Sequence, residues 1–214
     1  DRVVRVEADD QGRMRVDRLP SIEGPTIVCL GAGNVNSGAF DPAEAIIGRV
    51  RRRPGVWVHV DGAFGLWASA SPAMASLAAG MELADSWATD AHKWLNVPYD
   101  SGIVFVREAG PLRAAMATTA AYLVESGPRQ PCHCTPEISR RARGLEIWAA
   151  MASLGRQGLA ELIERNCRQA RRLADGLRRS GHRVLNDVVL NQVLVMFGDD
   201  RSEEHTSELQ SPNT

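Results

Sequence analysis

The sequence predicts an α/β fold: a mainly parallel sheet with flanking helices. Three observations carry this. Thr26–Leu30 (TIVCL) is a continuous, β-branched apolar run, the pattern of a strand buried on both faces. A helical start (DPAE) and a second apolar run (VWVHVDG, 56–62) follow it, so strand, helix and strand alternate as in βαβ units. After Pro136, apolar residues recur at helical spacing, from Leu145, Trp148, Ala149 and Ala152 on to Leu173, Ala174 and Leu177.

The elements follow in order. Val3, Val4 and Val6 are strand-like. TIVCL runs into GAGNVNSGAF, a Gly/Asn/Ser loop. In DPAE, Asp41 is placed as N-cap, Pro42 as first helical residue and Glu44 three residues beyond Asp41, a capping-box-like start. Ala45, Ile46 and Val50 supply the inward stripe of that helix, which ends near RRRPG. Ser71-Pro72 starts a short helix that stops at Gly80. DSWATD and GIVFV (102–106) are two further strands. The long helical pattern, from about Glu137 to Ser180, breaks or kinks around LGRQG and ends at Gly181. Its arginine-rich face is expected to be solvated. NQVLVMF (191–197) begins another strand.

Composition narrows the function classes. The chain has 214 residues, 44% hydrophobic and 24% charged, enough to bury a core. Its net charge of -1 gives no general attraction to nucleic acid or an anionic membrane. No run is long and apolar enough to span a bilayer, and a cytoplasmic location is expected. Cys29, Cys132, Cys134 and Cys167 are too sparse for a disulfide scaffold. The CHC at 132–134 lacks the second ligand pair that zinc requires, so no metal is expected.

Chemistry is concentrated at DAHKWLNVPYDSG (90–102). Lys93 has core-like neighbours, Trp94 and Leu95. A lysine in an apolar setting loses its proton more easily, and the neutral amine is a nucleophile. Asp61 ends the VWVHVD strand. Reactive groups of open α/β sheets collect at the carboxyl ends of the strands, and both residues fall there. A lysine able to form a Schiff base, with a carboxylate to pair a pyridinium nitrogen, is what pyridoxal 5'-phosphate (PLP) requires. Ala63 is small and would let a flat ring lie close. Surface decoration for Lys93 and a strand-end cap for Asp61 are the plainer alternatives. His59 faces the same way as Asp61 and is taken as a packing residue.

The ordered set VHVDGAFG, ADSW and DAHKWLNVPYDSG resembles the group II PLP-dependent amino-acid decarboxylases, the family of the aromatic-amino-acid, glutamate and histidine enzymes. GNVNSGAFDP resembles the family's loop beside the cofactor, and SRRARGLEIWAAMASLG its arginine-rich helix start. The resemblance covers nearly all of residues 1–200. It implies the large domain of a fold-type-I PLP-dependent enzyme. It implies Lys93 as the Schiff-base lysine, Asp61 on the pyridine nitrogen and Ala63 on one ring face. It puts His92 by the cofactor phosphate with Ser86 helping there, Asn34 and Asn36 near the ring, and Arg140 near the active site. Asn34 and Asn36 are equally suited to forming the loop itself. Tyr122, in the loop 118–135, is a candidate proton donor. The family often has Asn two or three residues before the lysine. This chain has Asp90, where a carboxylate would repel phosphate, so Asp90 is not assigned to the cofactor.

The implied reaction is decarboxylation of an L-amino acid in a homodimer. Transamination, amine-oxidising decarboxylation on the same fold, and an inactive truncated chain are the alternatives. Residues 1–135 are assigned to the PLP-binding domain, 136–180 to a linking helical segment, 181–200 to the start of a C-terminal small domain, and 201–214 to a non-native tail. The family's first phosphate loop and ring-stacking histidine would fall upstream of Asp1. The chain is therefore expected to be a piece of a longer enzyme, incomplete at both ends and inactive by itself.

Overall fold

In the computed structural model, which describes residues 2–116, 131–137 and 139–198, the apolar runs form one four-stranded sheet. Its strands are β1 (Thr26–Gly31), β2 (Val56–Asp61), β3 (Ser86–Asp90) and β4 (Gly102–Val106), in that order. β1, β2 and β3 run parallel, and β4 is antiparallel to β3. The sheet is therefore mainly parallel, as expected. Register puts Gly31 beside Asp61 and Asp61 beside Ala88, so the carboxyl ends of the three parallel strands share one rim.

Helix α1 (Ala43–Val50) covers one face. Ala43, Ile46, Ile47 and Val50 are buried at spacings of three and four residues. They meet Val58 and Val60 of β2, both fully buried. Burying each of these branched side chains stabilises the fold by about 2 kcal/mol. Ala45, expected in the stripe, lies off that face and is exposed. The expectation of burial on both faces of β1 also needs correction. Val28 and Leu30 turn to the core, but Ile27 is 69% exposed and Cys29 is exposed. Val3, Val4 and Val6 form no strand.

Asp41 does not cap α1. Its carboxylate accepts the N–H of Gly31 at 2.7 Å and of Met14 at 2.6 Å, tying the start of the chain to the end of β1. Burial pushes its carboxyl above the usual range, against the opposing pull of those two N–H donors. The stretch after β2 is a series of 3-10 turns, Gly65–Ala70, Ala75–Ala78 and Met81–Leu83, where one short helix was expected. Ser71 donates instead to Glu164 at 2.7 Å, joining these turns to helix α4.

Gly65 is fixed by close approach. A methyl there would overlap the Ala32 carbonyl and come within 2.8 Å of Gly33 Cα, both backbone. Gly65→Ala should therefore destabilise the full-length protein by about 3 kcal/mol through overpacking, read as a lowered melting temperature. An unchanged melt would show that the two backbone segments separate freely.

A short α2 (Ala91–Trp94) follows β3, and α3 (Ala109–Met116) follows β4. Helix α4 (Gly144–Arg179) breaks at Gly155, whose backbone is left-handed (φ 62°), within the LGRQG stretch. Its second half buries Leu159, Ile163 and Cys167 against the sheet domain. Gly181 (φ 85°) ends the helix, and the His182 N–H closes on the Leu177 carbonyl. β5 (Arg183–Val184) and β6 (Val195–Met196) then form a separate antiparallel pair, shorter than the expected strand. Tyr122 and the tail 201–214 lie outside the described residues. Among the described residues no helix is long and apolar enough to cross a membrane.

Candidate active site

The site begins at the rim of the parallel strands. Gly62 donates its N–H to the Ala88 carbonyl at 2.9 Å, and Asp90 donates to the Ala63 carbonyl at 2.8 Å. These bonds tie the end of β2 to the end of β3. Asp61 projects there, and its carboxylate accepts the Ala63 N–H at 3.2 Å. Trp94, Leu95 and Val97 are buried and anchor the DAHKWLNV segment. Asn96 takes a left-handed conformation (φ 54°) that turns the chain toward Pro98. Lys93 is thereby held on the one turn of α2.

The surroundings of Lys93 correct the expectation of an apolar setting. Its side chain is 45% exposed, and Nζ lies 3.0 Å from Asp90 Oδ2. The apolar neighbours fix the backbone rather than enclose the amine.

Asp61, Ala63, Lys93 and Asn34 line one cavity of about 830 Å³. The other predicted residues do not line it. His92 packs its ring on Tyr99, with centroids 4.1 Å apart, and its Nδ1 lies 2.9 Å from both the backbone N and O of Ser101. Its Nε2 lies 3.7 Å from Asp90. Ser86 stands at the opposite end of β3 from Lys93. It is buried, and its hydroxyl accepts from Trp57 Nε1 at 2.8 Å and sits 2.7 Å from His59 Nδ1. Its cofactor assignment is corrected to a sheet-packing role with His59. Asn36 is exposed and gives its N–H to Asn34 Oδ1, which also accepts from Ser37, so this pair shapes the loop. Arg140 pairs with Glu137 at 3.5 Å away from the cavity. Two other arginines reach the segment after Lys93: Arg141 donates to the Asp100 carbonyl at 3.2 Å, and Arg143 holds the Asp100 carboxylate at 2.7 Å. The Arg143 hydrogen bond holds the Asp100 carboxyl below the usual range.

Sequence reasoning missed Gly33, Phe64, Trp94 and Asn96, which also line the cavity, and Asn166 and Gln192, which come from α4 and the segment beyond it. The near ones carried a signal. Gly33 lies in a glycine-rich strand-end loop, and Asn96 stands two residues before Pro98. Nothing local marks Asn166 or Gln192, because only the packing of α4 brings them in.

The family model for the pyridoxal-dependent decarboxylase conserved domain matches residues 2–197. The chain belongs to the pyridoxal-dependent decarboxylase family. It is 29% identical over 175 residues to an aromatic-L-amino-acid decarboxylase of Bacillus atrophaeus, covering 76% of this chain and 36% of that protein. The crystal structure of mouse CSAD in apo form superposes with a TM-score of 0.81 at 24% identity, over 95% of this chain and 46% of that one. That of Oryza sativa TDC with PLP and tryptamine gives 0.69 at 29%, over 74% and 34%. The chain thus spans less than half the length of each of these proteins.

The residues present fit a PLP group. A carboxylate and the chain's only lysine face one cavity. Ala63 offers a small side chain beside them. Gly33 (φ 89°) lets Phe64 come close, since a methyl there would stand 3.1 Å from its ring.

Proposed function

We propose that the protein carrying this chain decarboxylates an L-amino acid with PLP attached at Lys93. The observation that supports it is the meeting of Asp61 and Lys93 in one cavity, in a chain of the decarboxylase family. PLP, when bound, supplies the sink for the electron pair left as the substrate carboxylate departs as carbon dioxide. Asp61, as an anion, would hold the proton on the ring nitrogen. Ala63 would give the ring a flat approach. Lys93 would tether the cofactor, release it to the substrate amino group, and take it back afterwards. Asn34 would serve by holding the loop beside the ring, since its carbonyl oxygen is already used by that loop.

A homodimer is part of this reading. Leu145, Trp148 and Met151 form an apolar stripe on the first half of α4, with Leu145 and Trp148 about two-thirds exposed. A second subunit would cover it. A cytoplasmic location is likewise proposed.

The test is a product assay on the full-length protein with PLP and a panel of L-amino acids. Equal yields of carbon dioxide and the matching amine are expected. Keto acid without carbon dioxide, or aldehyde in place of amine, would replace the reading by transamination or oxidative decarboxylation.

A further inference from the structure

We propose that Asp90 is the holding partner of Lys93, a carboxylate that receives the lysine ammonium whenever the amine is not bonded to cofactor. On the reading that Lys93 is the attachment point, Asp90 makes that attachment easier to reverse. It favours the displaced lysine when a substrate amino group takes its place, and it weakens the resting hold on the cofactor.

The geometry points to this. Lys93 Nζ and Asp90 Oδ2 are 3.0 Å apart, within one turn of chain. Asp90 is well fixed: it is the last residue of β3, its N–H is bonded to Ala63 and its carbonyl accepts from Trp67 Nε1 at 3.1 Å. Its carboxylate is 27% exposed and faces two nitrogens, Lys93 Nζ and, at 3.7 Å, His92 Nε2. Asp61 lines the same cavity as Lys93 and is a second carboxylate there among the described residues. Asp100, in the neighbouring loop, is taken up by Arg143. Asp90 is thus the carboxylate that the lysine meets first.

Charge gives the direction. Condensation of the amine with the cofactor aldehyde releases water and one proton relative to the ammonium. An ammonium paired with a carboxylate is the more stable starting state, so the pair opposes condensation. For a partly exposed pair the effect is modest, about twofold to fivefold in the equilibrium.

The variant Asp90→Asn keeps the shape and both backbone bonds but removes the charge. In the full-length protein it should bind PLP about twofold to fivefold tighter than wild type at low salt, read by equilibrium dialysis. Asp90→Glu should restore the wild-type value. The advantage of Asn should shrink in about 1 M salt, where ion pairs this exposed are screened. Pyridoxine 5'-phosphate, which has the phosphate but no aldehyde, is the control. It should bind both proteins equally. Equal tightening of the two compounds would show that Asp90 merely repels phosphate and would overturn the proposal, as would unchanged or weaker binding of PLP. Borohydride fixation and peptide mapping of the same samples separate the two readings. A pyridoxyl label away from Lys93 would sink the attachment assignment itself. A label on Lys93 with no change in affinity would sink only the role of Asp90.

Discussion

On the proposed function, Asp61→Asn in the full-length protein is expected to lower kcat by about two to three orders of magnitude while the cofactor stays attached. Asparagine has nearly the same shape and keeps an oxygen that can accept the Ala63 N–H now bonded to Oδ1. The local fold should survive. On the proposed role, what is lost is the negative charge that would keep a proton on the cofactor ring nitrogen. That proton matters most when the ring carries the electron pair, so the loss falls on the transition state and appears in kcat more than in KM. Attachment through Lys93 does not need it. The measurement is steady-state kinetics beside a titration of bound cofactor. Near-wild-type kcat in a fully loaded variant would remove Asp61 from its role. Parallel loss of cofactor and kcat would make it a binding residue only.

The legible part of the site was the part set by chain direction. Asp61 ends one strand that the apolar pattern marks and Lys93 follows another, and parallel pairing brings the ends of such strands together. Ala63 and Asn34 follow from the same rule. Side-chain orientation was not legible. Ser86 precedes Lys93 by only seven residues, but it starts β3 while Lys93 follows its end. Its hydroxyl is taken by Trp57 and His59. His92 adjoins Lys93 in sequence, yet on a helical turn adjacent side chains point apart, and its ring goes to Tyr99 and Ser101. Asp41 has the sequence of a cap, but two backbone N–H groups, of Gly31 and Met14, claim it first. Arg140 was named from the resemblance alone, but α4 begins at Gly144, seven residues later than its pattern suggests, and Arg141 and Arg143 are the arginines that reach Asp100.

Lys93 allows the sharpest test, because it is the only lysine in the chain. Borohydride reduction of the full-length holoenzyme should leave one pyridoxyl group among these residues, on the peptide containing DAHKWL. Lys93→Ala should lower kcat by about a thousandfold or more, since on the proposed role both the tether and a positioned amine are removed. The fold should be little changed. The lysine is nearly half exposed, its ionic partner Asp90 is partly exposed, and the segment is anchored by Trp94 and Leu95 rather than by the amine. A melt close to wild type, together with lost activity, would therefore separate chemistry from stability. Lys93→Arg distinguishes charge from nucleophilicity. Arginine preserves the ion pair with Asp90 but stays protonated and cannot condense with an aldehyde. If the arginine variant is as inactive as the alanine variant, the amine itself is required. Substantial turnover in either variant, or a label that maps to another amine, would mean that the lysine serves only as the partner of Asp90.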